Sequence, residues 1–137
     1  MAAVPSGPAT VAVSTGNATL GSFLVDSKGM TLYIYTKDSP NTSTCTGQCA
    51  TAWPPLLTTG APMAGTGADA SKLGTTMRAD GTTQVTYKGH PLYFFAKDKD
   101  DGDAYGQGLN SFGAGWYVLA PSGNKIDSDS KGGGNDS

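Results

Sequence analysis

Glutamate is missing from the 137 residues, and arginine and histidine occur once each, as Arg78 and His90. All eleven acidic residues are aspartates, which favour turns and caps over helix interiors. With 20 glycines, 8 prolines and seventeen threonines alongside, the composition argues against helices and for strands. One arginine and a net charge of −2 provide no basic cluster for phosphates, so nucleic acid is not expected as a partner. No apolar run approaches the ~18 residues of a membrane span. The start, MAAVPSGPAT, lacks a charged segment followed by an apolar core, so it is not a signal peptide, and Met1 reads as an initiator on a mature, trimmed chain. A lone histidine offers no evident nucleophile–base set, and no glycine-rich phosphate loop occurs. The chain is therefore expected not to be an enzyme.

Cysteine is nearly absent too: Cys45 and Cys49, in CTGQC, are the two present. Their spacing reaches disulfide distance if the segment turns. A bridge closing so short a loop would stabilise by about 2 kcal/mol. A metal pair and a redox pair are the alternatives. Two thiols do not complete a zinc site, and a haem attachment signature needs His where Ala50 stands. The structural disulfide is the first reading, and it points to an oxidising, extracytoplasmic compartment.

What is present is a repeat. LYIYTKD (32–38) returns as LYFFAKD (92–98). Lys28–Gly29 matches Lys88–Gly89, Tyr35 matches Phe95, and each half carries a Gly-Gln pair ahead of a tryptophan, Trp53 or Trp116. Residues 20–38 read as a hairpin about Asp26-Ser27-Lys28-Gly29. Residues 75–98 read as three strands with turns at Asp80–Gly81 and Lys88–Gly89, and 115–123 as a last strand. Residues 10–16 alternate weakly and read as a first strand. Both faces of the aromatic strands are apolar, which suits strands covered on both sides. The expected fold is all-β: a compact antiparallel sandwich or small barrel built from two pseudo-symmetric repeats. Repeat one spans about 18–57 and repeat two about 72–123, joined by a linker over 58–71. A tether over 1–9 precedes the domain, and a polar, glycine-rich tail over 124–137 that is too poor in apolar residues to order follows it. Residues 106–115 read as a flexible surface loop. Both tryptophans are expected in related, buried positions.

These strings, LGSFLVDSKGMTLYIYTKD with CTGQCATAWPPL and RADGTTQVTYKGHPLYFFAKD with GWYVLAPSG, resemble the bacterial secreted-repeat lipoproteins described by a Tyr-x-(Phe/Trp/Tyr)-x-x-Asp motif. The resemblance covers about residues 18–123. Its motif positions fall on Tyr33, Tyr35 and Asp38, then on Tyr93, Phe95 and Asp98, and Cys45 with Cys49 fits the pattern. It implies export, often with a lipid anchor on an N-terminal cysteine. No cysteine precedes Cys45, so such an anchor is expected only in a full-length precursor.

Aspartate at a strand exit readily accepts backbone N–H bonds, so Asp38 and Asp98 read first as turn formers. Asp98, Asp100, Asp101 and Asp103 crowd one loop and form a candidate weak Ca²⁺ site. His90 and its counterpart Met30 are alternative ligands for haem or copper. The first expectation is a non-enzymatic, secreted or cell-surface β-domain, a binding or structural module with an unidentified cell-envelope partner and no resident cofactor. The alternative is a metal- or haem-linked electron-transfer protein using His90 and Met30.

Overall fold

Short runs of β-branched and aromatic residues between turn formers give short strands. In a computed structural model, residues 8–13, 22–39, 41–99 and 104–126 are described. The strands are β1 (Thr10–Val13), β2 (Leu24–Val25), β3 (Tyr33–Tyr35), β4 (Met63–Ala64), β5 (Leu73–Met77), β6 (Thr83–Tyr87), β7 (His90–Pro91), β8 (Asn110–Ser111) and β9 (Ala114–Val118). They form three small sheets, ordered β2-β1-β4, β3-β9-β8 and β5-β6-β7. Pairing is antiparallel except for β1 with β4. The fold is thus sheet-rich and compact, as expected, and the described strands close no barrel.

The turns follow the residue chemistry. Asp26 Oδ1 accepts the N–H groups of Lys28 and Met30, and Gly29 takes φ 84°. Lys88 and Gly89 both have positive φ, as a two-residue hairpin between β6 and β7 requires. Three segments depart from the reading of the sequence. Gln48–Ala52 forms a short helix, α1, against the composition. The Cys45–Cys49 disulfide fastens its first turn, and Pro54–Pro55 ends it. The stretch 58–71 carries β4 and a 3₁₀ turn at Ala70–Lys72, so it is built into the sheets. The stretch 106–115 holds β8 and the start of β9, joined by a tight turn at Phe112–Gly113. Asn124 to Ile126 pair back onto the end of β9, with Ile126 N–H bonded to Val118 O at 2.9 Å. The rest of the expected tether and tail, 1–7 and 127–137, lies outside the described residues.

Alternation along β3 divides the core in two. Tyr33 and Tyr35, with Tyr93, Phe95, Trp53 and Trp116, enter an aromatic cluster. Leu32 and Ile34, with Leu92, Leu56, Val85 and Leu119, enter an aliphatic one. Both faces are covered, as the two-sided apolar pattern requires.

The halves exchange strands. β3 of the first half pairs with β9 of the second, Tyr35 opposite Trp116 and Tyr33 opposite Val118. Reciprocally, Tyr93 bridges Pro55, and Phe94 and Ala96 donate their N–H groups to Pro54 and Ala52 at 2.6 and 2.9 Å. The aliphatic layer repeats the relation. Leu24 N–H bonds to Leu119 O at 3.0 Å, and Val85 N–H bonds to Leu56 O at 2.8 Å. A pseudo-twofold axis therefore runs between Tyr33 and Tyr93, whose main chains bond to one another in both directions at 2.8 and 2.9 Å.

Candidate functional site

The six motif residues gather around that axis; five are buried and Asp38 is partly buried. Asp38 N–H bonds to Tyr35 O and Asp98 N–H to Phe95 O, each at 3.0 Å, so both aspartates leave their strands through the same turn. Their carboxylates then cross between halves. Tyr33 OH donates to Asp98 Oδ2 at 2.6 Å, and Tyr93 OH donates to Asp38 Oδ2 at 2.7 Å. The second oxygen of each holds the following loop. Asp38 Oδ1 accepts from Thr44 N–H and Thr44 Oγ1, both at 2.7 Å, and Asp98 Oδ1 accepts from Tyr105 N–H at 2.9 Å. The turn-forming role read from the sequence is present, and the tyrosine exchange is added to it.

The rings repeat the crossing. Trp53 and Trp116 lie face to face, centroids 3.9 Å apart and 4° from parallel. Phe95 stacks on the outer side of this pair against Trp53, and Tyr35 stacks against Trp116, each at 4.2 Å. The stack therefore runs Phe95, Trp53, Trp116, Tyr35. Tyr33 and Tyr93 present edges to Trp53 and Trp116 at 5.4 and 5.2 Å. Gly106 is the backbone that closes over it: a Cβ there would lie 2.7 Å from two Trp53 ring carbons. Trp116 Nε1 donates to Ser111 O at 3.0 Å, whereas Trp53 Nε1 is buried without an acceptor among the described residues.

The two tyrosine hydroxyls differ in their second partner. Gly106 N–H donates to Tyr33 OH at 3.1 Å, while Tyr93 OH meets Ser43 Oγ at 2.5 Å. Ser43 in turn accepts from Arg78 Nη1 at 2.9 Å. Arg78 is buried, and its guanidinium also donates to Gln84 Oε1 at 2.9 Å and to Cys45 O at 2.7 Å. Gln84 Nε2 donates on to Leu92 O at 2.7 Å. A polar chain thus joins Asp38 to the disulfide loop, with the one arginine as its hub. Burial pushes the Asp38 carboxyl above the usual 3.8, against the bonds from Thr44 and Tyr93 and the Arg78 charge. Burial first, and then the Asp38 charge, push the Tyr93 phenol far above its usual 10.0.

Arg78 also lines a cleft of about 330 Å³ between α1 and the β5–β6 turn. Ala50, Pro55 and Leu57 supply apolar wall, and Thr46, Thr51 and Thr82 are among its polar lining residues. Nothing in the repeat marks this cleft. Its signal in the sequence is the single arginine, which composition notes only as a scarcity.

The remaining candidates are not gathered here. Asp98 already holds Tyr33 and Tyr105, and Asp100, Asp101 and Asp103 lie outside the described residues. His90 pairs with Tyr87 beyond the Lys88–Gly89 turn, and Met30 closes the Asp26 turn. Burial, then Lys88, lowers the pKa of His90 below 6.5. Among the described residues no group of three or more His, Cys or Asp side chains is placed to hold a metal, and no helix is long and apolar enough to cross a membrane. The Cys45–Cys49 disulfide is formed, with S–S 2.00 Å and Cα–Cα 5.2 Å.

Comparison with curated proteins finds no match, and comparison with solved structures finds none. A family model matches twice, over residues 14–57 and 74–120, the two halves that the fold relates by its pseudo-twofold axis. The chain belongs to this lipoprotein family, described as a secreted repeat of unknown function.

Proposed function

We propose that the protein is a non-enzymatic extracytoplasmic binding module: a rigid two-repeat core that offers its surface to a component of the cell envelope. The observation that carries this reading is the fate of the motif. Tyr33, Tyr35, Tyr93, Phe95 and Asp98 are buried, Asp38 is partly buried, and the exchanged hydroxyls and carboxylates bond to one another. The Tyr93 phenol, raised by burial, is a poor proton donor at neutral pH, which supports a packing role over acid–base chemistry. Recognition then falls to the surface, and the Arg78 cleft is the place we assign to it. It joins an apolar wall to hydroxyls and a cation fixed by hydrogen bonds, the usual make-up of a binding cleft. Membership of a secreted family and a short disulfide support the extracytoplasmic location.

The test is retention of an envelope component on immobilised protein, comparing the parent with Thr82→Trp, which fills the cleft from its rim. A component held by the parent and lost by the variant supports the reading. Equal retention by both, or none by either, overturns the cleft as the recognition site.

A further inference from the structure

Next to the Arg78 cleft, with Thr51 shared between the two, a broader hollow of about 550 Å³ is lined by Gln48, Thr51, Ala52, Phe95, Lys97 and Phe112. Two of these residues do not fit an ordinary surface. Phe95 is the terminal ring of the aromatic stack, so the stack ends at this hollow. Phe112 occupies the first position of the two-residue turn between β8 and β9, with φ 55°, followed by Gly113 at φ 91°. That turn type favours Asn, Asp or Gly there, and positive φ is unfavourable for a bulky side chain. The ring is nevertheless 43% exposed. Folding gains little from an exposed apolar ring on a strained backbone. Such strain gathers at functional positions. The turn is also tied to the stack, because Tyr35 OH at its far end donates to Phe112 O.

We infer that this hollow binds a planar aromatic molecule bearing an anionic group, held by Phe95 and Phe112 with its anion toward Lys97. The physical basis is direct. An aromatic wall, an exposed aromatic side chain and a cation at one edge complement a flat ring with a negative substituent, and ring stacking adds to the area buried. Gln48 and Thr51 offer hydrogen-bonding groups along the helix side. Trp53, stacked on Phe95, carries a buried Nε1 without an acceptor among the described residues, a further irregularity next to the same wall. The hollow shares Thr51 with the Arg78 cleft but not Arg78 or Thr82, and its own tests act on Lys97 and Phe112, so its success or failure does not decide the function proposed for that cleft.

Anthraquinone-2-sulfonate is the probe, titrated into the intact protein and followed by calorimetry and amide chemical shifts. Saturable binding is expected, with shifts centred on Thr51, Ala52, Lys97 and Phe112. Phe112→Asn removes the ring and places a residue suited to positive φ. The variant is expected to melt higher than the parent and to bind the probe about tenfold more weakly or worse, equivalent to about 1.4 kcal/mol. Lys97→Gln should weaken the sulfonate but not the uncharged menadione. Cyclohexanesulfonate, which is anionic but not planar, should not saturate. The inference is overturned by an absence of saturable probe binding, by shifts centred elsewhere, by equal binding of cyclohexanesulfonate, or by full binding in Phe112→Asn. A fall in the melting temperature of Phe112→Asn would also count against it, since Phe112 would then be a residue the fold needs.

Discussion

The Tyr33 hydroxyl donates to the Asp98 carboxylate at 2.6 Å, and Tyr93, its counterpart in the second half, donates to Asp38 at 2.7 Å. Each bond crosses from one repeat to the other, so each half is completed by the other. Tyr33→Phe and Tyr93→Phe should each lower stability by about 1–3 kcal/mol, because a carboxylate oxygen, buried in Asp98 and partly buried in Asp38, loses its donor. Urea titration reads this directly. A loss below about 0.5 kcal/mol, the level of a neutral surface change, would show that water replaces the hydroxyl.

The tryptophan pair predicts a second symmetry. Trp53→Ala and Trp116→Ala should both lose about 3–5 kcal/mol, the range for truncating a buried aromatic side chain. Each ring touches the other and one further stacked ring, so the double variant should lose less than the sum of the two. Strict additivity in denaturant titration would contradict the shared stack.

Gly106 makes a finer test of the same packing. Its added Cβ would meet Trp53 at 2.7 Å and Tyr33 at 3.0 Å, and these rings are held by stacking and by the Asp98 bond. Gly106→Ala should therefore destabilise by about 1–3 kcal/mol, as overpacking does. A neutral result in thermal melts would mean that the 104–108 segment can withdraw.

Alkali should unfold the protein from within. The folded state raises the Tyr93 phenol above 10.0, first through burial and then through Asp38. Above pH 10 the unfolded chain releases this proton while the folded chain keeps it, so the unfolded state binds fewer protons and stability falls as pH rises. Melting temperature should drop steadily above pH 10, and Tyr93→Phe should flatten that drop. Asp38, also raised, acts with the same sign in the acid range: its contribution is largest at pH values below 3.8 and declines as pH rises through its folded value.

Reduction of Cys45–Cys49 should lower stability by about 2 kcal/mol, the model value for so short a loop. Arg78→Ala should lose about 1.5–3 kcal/mol, because its charge-assisted bonds hold the same loop through Cys45 O. Non-reduced mass spectrometry, followed by melts with and without reductant, checks the first. Insensitivity of Arg78→Ala to reductant would confirm that bridge and arginine restrain one element.

The strands and the twofold relation were legible because they rest on local pattern. LYIY and LYFF alternate with period two, and KG punctuates both halves. The exchange of partners was not legible, since β3 finds β9 rather than its own tryptophan segment and no local signal encodes that choice. α1 escaped notice because a disulfide and tertiary packing hold five residues that composition would leave unwound. Similarly, the 106–115 segment is rich in glycine, yet Gln107 orders it by donating to Ile126 O and accepting from Val118 N–H. Of the site, the motif residues were found but their use was half seen: the aspartate turns were read, the tyrosine donors were not. Arg78 and Gln84 were missed because a buried polar hub looks, in sequence, like any surface residue.

The strand exchange described above has a consequence for concentration. A chain bearing one repeat would present its tyrosine strand and its tryptophan segment without mates, and it would have to find a second copy to complete either. Two repeats in one chain turn that encounter into an internal one, with the mate held at an effective concentration on the order of millimolar. A protein released into a large external volume is diluted without limit, and a fold that depended on association would come apart there. Writing both partners into one polypeptide makes the pairing independent of how many copies are nearby.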